Sequence, residues 1–127
     1  MDYYLRKQTS MGFDEALEKV TNELQKEGFG VITTIDVKQT LKNKLDVNFR
    51  PYTILGACNP AYAHRAIELD DKIGTLLPCN FLVQQNEEGA EVSAMNPEII
   101  MGSFLGAQMQ EIGEAITSKV KAVLASL

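Results

Sequence analysis

Two dipeptides of the same composition, Cys58-Asn59 and Cys79-Asn80, contain both cysteines of the chain. A cysteine acts as nucleophile or metal ligand through its thiolate, which a helix N-terminus or a nearby cation favours. Asn59-Pro60 suits a helix start, because the amide can cap the first turn and the proline ring fits its first position. Backbone N–H groups at that start could stabilise a charge on Cys58. The single histidine, His64, follows about a turn and a half into the same helix and could face back toward Cys58.

These residue types admit three kinds of chemistry. Two thiols can form a redox couple, provided their Cα atoms come within about 7 Å. Cys58, Cys79 and His64 can ligate a metal, with Met95 or Met101 adding a thioether, a set suited to Cu(I) or Zn²⁺. Asn59 and Asn80 carry donors and acceptors and could rim a polar pocket for a small ligand or an anion. A plainer reading stands beside each. Cysteine packs as a small hydrophobe, and a lone histidine on a short helix often sits at the surface. Asn59 can serve as a cap, and Asn80 can bond a strand end. Neither Cys-x-x-Cys nor a His-x-x-x-His pair is present, so no thioredoxin-like or zinc-finger spacing supports the first two chemistries.

The elements that must position these residues follow from periodicity. Tyr3 to Thr9 alternates weakly and reads as a strand. Phe13, Leu17, Val20 and Leu24 form a helical stripe, with Asp14 and Glu15 in its first turn and Gly28 beyond its end. A β-branched run from Gly30 to Val37 reads as a strand, Lys38 to Leu45 as a short helix, and Tyr52 to Cys58 as a third strand. The helix from Asn59-Pro60 runs to Leu69, with Asp70 to Gly74 as a loop. Leu76 to Gln85 reads as a strand whose start Pro78 weakens or displaces. Asn86-Glu87-Glu88-Gly89 turns the chain into a last strand, Ala90 to Met95. Pro97 opens a helical segment interrupted around Gly102 and Gly106. Leu105, Met109, Ile112, Ile116, Val120, Val123 and Leu127 then keep a 3-4 spacing, the mark of a long helix laid across a sheet.

Five strands, a tight hairpin and unevenly placed helices point to an α+β two-layer sandwich with a largely antiparallel sheet. Strand direction decides the chemistry. Cys58 ends its strand and Cys79 lies near the start of the next, so antiparallel neighbours bring both to one rim and parallel neighbours keep them a strand apart.

Composition narrows the function further. The 127 residues suit one domain spanning the whole chain. A formal charge of −5 argues against the large basic footprint that nucleic acid requires; Lys38, Lys42, Lys44 and Arg50 offer only a small positive patch. No apolar run approaches the roughly 20 residues of a membrane span. The N-terminus lacks a signal-peptide layout, so a cytoplasmic location and two free thiols are the expectation. There is no nucleophile elbow, P-loop or dinucleotide fingerprint, and Gly102-Ser103-Phe104-Leu105-Gly106 has the wrong spacing for an elbow. These absences lean against an enzyme.

Three motifs resemble one family across nearly the whole chain: Ile54-Leu55-Gly56-Ala57-Cys58-Asn59-Pro60, Ala63-His64-Arg65-Ala66, and Gly74-Thr75-Leu76-Leu77-Pro78-Cys79-Asn80. The family is "domain of unknown function 302", and the late Asn96-Pro97 followed by Met101 fits it too. The resemblance implies a sheet-and-helix fold of the TATA-binding-protein class, often as a homodimer, and brings no activity or cofactor. This chain departs from the family at Asp70-Asp71-Lys72 and at Asn96, where aspartate-proline is usual; a carboxylate role at position 96 does not carry over. The expectation is thus a homodimeric small-ligand-binding or sensing module with a site at Cys58, Asn59, His64, Cys79 and Asn80. A thiol- or metal-dependent activity of Cys58, Cys79 and His64, and a purely structural dimer module, are the alternatives.

Overall fold

A computed structural model describes residues 2–102 and 105–127. Five strands, β1 (Tyr4–Gln8), β2 (Gly30–Asp36), β3 (Tyr52–Cys58), β4 (Cys79–Asn86) and β5 (Gly89–Met95), form one sheet in the order β1-β5-β4-β3-β2. Every neighbouring pair is antiparallel. The period of two along each strand sends Leu55, Ala57, Cys79, Phe81, Val83, Val92 and Ala94 into the core. Tyr52, Ile54, Leu82, Ser93 and Met95 take the opposite face, where they line shallow hollows.

The first two strands occupy opposite edges of the sheet, so the helix between them, α1 (Phe13–Lys26), must cross its face. It buries Ala16, Val20 and Leu24, while Phe13 and Leu17 at the margins of the expected stripe are partly buried. Beyond it, Gly28 adopts φ of 86°. The Phe29 N–H then reaches Leu24 O at 2.9 Å and the Gly28 N–H reaches Gln25 O at 3.1 Å, the paired bonds of a Schellman ending.

Two short helices follow, α2 (Val37–Leu45) after β2 and α3 (Pro60–Leu69) after β3. None of the residues of α2 is buried. Asn96 starts α4 (Pro97–Ile100), and α5 (Ala107–Ala125) begins after Gly106. The interruption between them includes residues 103 and 104, which lie outside the described residues. The long helix buries Met109, Ile112, Ile116, Val120 and Val123, the stripe read from spacing. Each such side chain taken fully from water contributes about 1.5–3 kcal/mol, so α1 and α5 together hold the covered face.

Two segments differ from the sequence expectation. Asp70 to Gly74 is not an open loop: a 3-10 helix spans Asp71–Leu76, and Asp70 Oδ1 accepts a hydrogen bond from the Lys72 N–H at 3.0 Å. β4 begins at Cys79, not Leu76, because Pro78 has no N–H to give the ladder. Gly56 allows the close approach there. A Cβ at that position would overlap Thr33 Oγ1 and come within 2.9 Å of Pro78 Cγ.

Candidate functional site

The connection from β3 to β4 carries α3 and the 3-10 helix, and it folds over the end of the sheet that holds both cysteines. Tyr62, Ala63, Ala66 and Ile67 share one face of α3 by the 3.6-residue period, and all four border a cavity of about 280 Å³. Cys58, Cys79 and Pro78 close it on the sheet side, and Met101 and Ile116 reach it from the far side. The space exists because Ala57, Ala63 and Ala66 stand where larger side chains would fill it. At the boundary with solvent sit Ile32, 61% exposed, and Ile67, 44% exposed. The walls are almost wholly hydrocarbon and sulfur, not the amide-lined pocket that the two asparagines suggest in sequence.

Antiparallel pairing brings both thiols to this rim. Ala57 lies directly opposite Cys79 in the β3–β4 register. Opposed Cα atoms stand about 4.5–5.5 Å apart and consecutive ones 3.8 Å, which bounds the Cys58–Cys79 Cα separation at about 9 Å. Both cysteines are free thiols; Cys58 is half-buried and Cys79 is 4% exposed. Burial pushes the Cys79 thiol up to about 11, with a smaller push from the charge of Cys58. Cys79 is therefore a neutral, well-packed thiol near neutral pH, a poor nucleophile but still a soft donor.

Of the remaining three candidates, Asn59 stays at this rim and Asn80 and His64 lie elsewhere. Asn59 borders the cavity, yet it makes no side-chain cap for α3. Its Nδ2 donates instead to Glu27 O at 3.2 Å, tying the start of α3 to the end of α1. Gly28 fits that clamp, since a Cβ there would come within 3.2 Å of the same Nδ2. Asn80 pairs with Gly56 and is exposed on the uncovered face, in a hollow with Tyr3, Tyr52 and Leu82. His64 lies on the outer side of α3. Its side chain is 75% exposed, and Nε2 sits 3.1 Å from Glu68 Oε1, in a surface hollow with Arg65, Gln108 and Glu111.

The structure thus separates His64 from the two thiols, which removes the mixed nitrogen-sulfur ligand set. Among the described residues no group of three His, Cys, Asp or Glu side chains is placed to hold a metal. Tyr62, Ile67 and Ile116 are among the cavity residues that did not enter the sequence-derived site. Tyr62 is steadied by Arg65, whose guanidinium carbon lies 5.9 Å from the ring centroid.

Fold and site together define a small α+β module with one sheet, one covered face and an apolar, thiol-bearing cavity at the sheet's end. The chain belongs to the family "Domain of unknown function DUF302", whose profile matches residues 5–127. It is similar to the crystal structure of an uncharacterized conserved DUF302 protein from Bacillus stearothermophilus, with a TM-score of 0.91, 28% identity and 98% of each chain covered. No curated protein matches the chain. No helix among the described residues is long and apolar enough to cross a membrane.

Proposed function

We propose that the protein binds a small apolar molecule in the cavity between α3 and the β3–β4 end of the sheet, as a carrier or sensor. The carrying observation is the cavity itself: about 280 Å³ of apolar-walled space, flanked by the exposed side chains of Ile32 and Ile67. Ligand pockets usually measure roughly 300–1,000 Å³, so the occupant is smaller than a typical drug-sized molecule. Hydrocarbon walls select an aliphatic or aromatic body, and Cys58 supplies a thiol beside it. The free thiols agree with a reducing compartment, and the cytoplasm is the location this reading adopts.

The test is native mass spectrometry of the protein isolated from its source, beside an Ala63→Phe variant that fills the space. Retention of one small apolar molecule by the natural protein and its loss from the variant are expected. An empty natural protein that also takes up no small apolar probe would end the reading.

A homodimer, which the family resemblance implies, has an available surface in the uncovered sheet face around Tyr4, Tyr52, Ile54 and Leu82. These side chains are half-buried in the single chain. Light scattering of the natural protein against Leu82→Lys tests it: a dimeric mass that halves in the variant is expected, and a monomer at all concentrations contradicts it.

A further inference from the structure

We propose that Cys58 and Cys79, with Met101 as third donor, form a binding site for a soft monovalent cation, Cu(I), at the rim cavity. Three sulfur side chains border this one space of about 280 Å³. They arrive from three separate parts of the chain: the end of β3, the start of β4, and the residue after α4. Among the described residues no carboxylate or imidazole borders the cavity. Donor chemistry then decides the ion. Zn²⁺ takes four nitrogen, oxygen or sulfur ligands in a closed tetrahedral site, and this rim offers no imidazole or carboxylate to complete one. Thiolate and thioether sulfur select Cu(I), which accepts two or three ligands.

Geometry and surroundings suit that ion. The β3–β4 register bounds the two cysteine Cα atoms at about 9 Å, and both residues border the same cavity. Cys58 is the half-buried member and Cys79 the sealed one, so the ion enters past Cys58 and is finally held away from water. Met101 is 1% exposed, and its Cβ lies 3.2 Å from where a Cβ on Gly113 would stand. That contact fixes the base of the side chain against α5. Binding is a ligand exchange without electron transfer. Two S–H bonds break, three Cu–S bonds form (two to thiolates and one to the Met101 thioether), two protons pass to solvent, and copper remains Cu(I). The complex carries one net negative charge beside the first turn of α3, whose N-terminus carries partial positive charge.

This inference goes beyond the apolar-ligand reading and does not depend on it. Cysteine-to-serine changes remove the soft donors while leaving the cavity volume nearly intact, so a small apolar probe still reports the cavity when copper is lost. The experiment is an anaerobic titration of the full chain with Cu(I) against a chromogenic Cu(I) chelator, followed by metal analysis of the desalted protein. One Cu(I) per chain is expected, with ultraviolet absorption from thiolate-to-copper charge transfer. Cys58→Ser, whose half-buried position tolerates a hydroxyl, loses that absorption and the retained copper while its circular dichroism is unchanged. Cys79→Ser loses copper as well. Met101→Leu keeps the stoichiometry but yields copper at lower chelator concentration, and His64→Ala binds as the natural protein does. Complete transfer of copper to the chelator by the natural protein would overturn the site. So would full retention in Cys58→Ser, or loss in His64→Ala.

Discussion

Cys58-Asn59 and Cys79-Asn80 are identical dipeptides with opposite fates. The second lies inside a strand, where alternation sends neighbours to opposite faces: Cys79 enters the core and Asn80 meets solvent on the uncovered side. The first lies where β3 gives way to α3, and there the alternation ends. Cys58 and Asn59 stay together at the rim, one bordering the cavity and the other also clamping α1 to α3. A repeated motif thus describes chemistry only after the local backbone period has been applied to it.

The largest expected effect separates the two sulfurs. Cys79→Ser places a hydroxyl at a 4%-exposed core position and should destabilise the fold by about 1–3 kcal/mol. Cys58→Ser at the rim should cost under about 0.5 kcal/mol. Urea midpoints measure both, and equal losses would erase the distinction between core and rim thiol.

Alkaline pH offers a second test. Cys79 is raised from 9.0 to about 11, so the folded state holds a proton that the unfolded chain has released. Stability from this group is full below pH 9 and is lost as pH climbs through 11. The linkage amounts to about 1.4 kcal/mol by pH 10. Natural protein should lose that much more than Cys79→Ala between pH 8 and 10, while shared lysine and tyrosine titrations cancel in the difference. Parallel curves would mean that Cys79 is solvated.

The asparagines give the smallest contrast. Asn59→Ala leaves Glu27 O without its partner and should cost about 1 kcal/mol, read as a lower melting temperature. Asn80→Ala, exposed on the other face, should change stability by less than about 0.5 kcal/mol. A larger loss at Asn80 than at Asn59 would invert the assignment.

Much of the fold is visible in the chain because it rests on local periods. The α5 stripe from Met109 to Val123, the hairpin at Asn86 to Gly89 and the helix start at Pro60 all appear where spacing and turn chemistry place them. That hairpin favours an antiparallel order, and the β3–β4 register has it, which puts both cysteines at one rim. The site is less legible, for three physical reasons. His64 is displaced by helix phase: it lies one residue past Ala63, about 100° around α3, enough to leave the face that Tyr62, Ala63, Ala66 and Ile67 share. The partner of Asn59 is nonlocal, a backbone carbonyl 32 positions earlier, and no short motif announces it. The cavity itself is recorded only as small side chains at positions 57, 63 and 66, whose shared location requires the fold. Asn96 shows the reverse case, a residue whose local use is plain once the structure is known. Its Oδ1 accepts from the Glu98 N–H at 3.2 Å while its Nδ2 donates to Asp2 O at 3.2 Å. An ionised aspartate could make only the first of these bonds.

The claim that the rim cavity receives a small apolar ligand is tested most directly by nuclear magnetic resonance titration with indole. Saturable amide shifts clustered at residues 57–67 and 77–79 are expected, absent from Ala63→Phe protein of unchanged fold. Shifts that instead cluster on the uncovered sheet face around Tyr52 and Leu82, or that persist in Ala63→Phe, would contradict it.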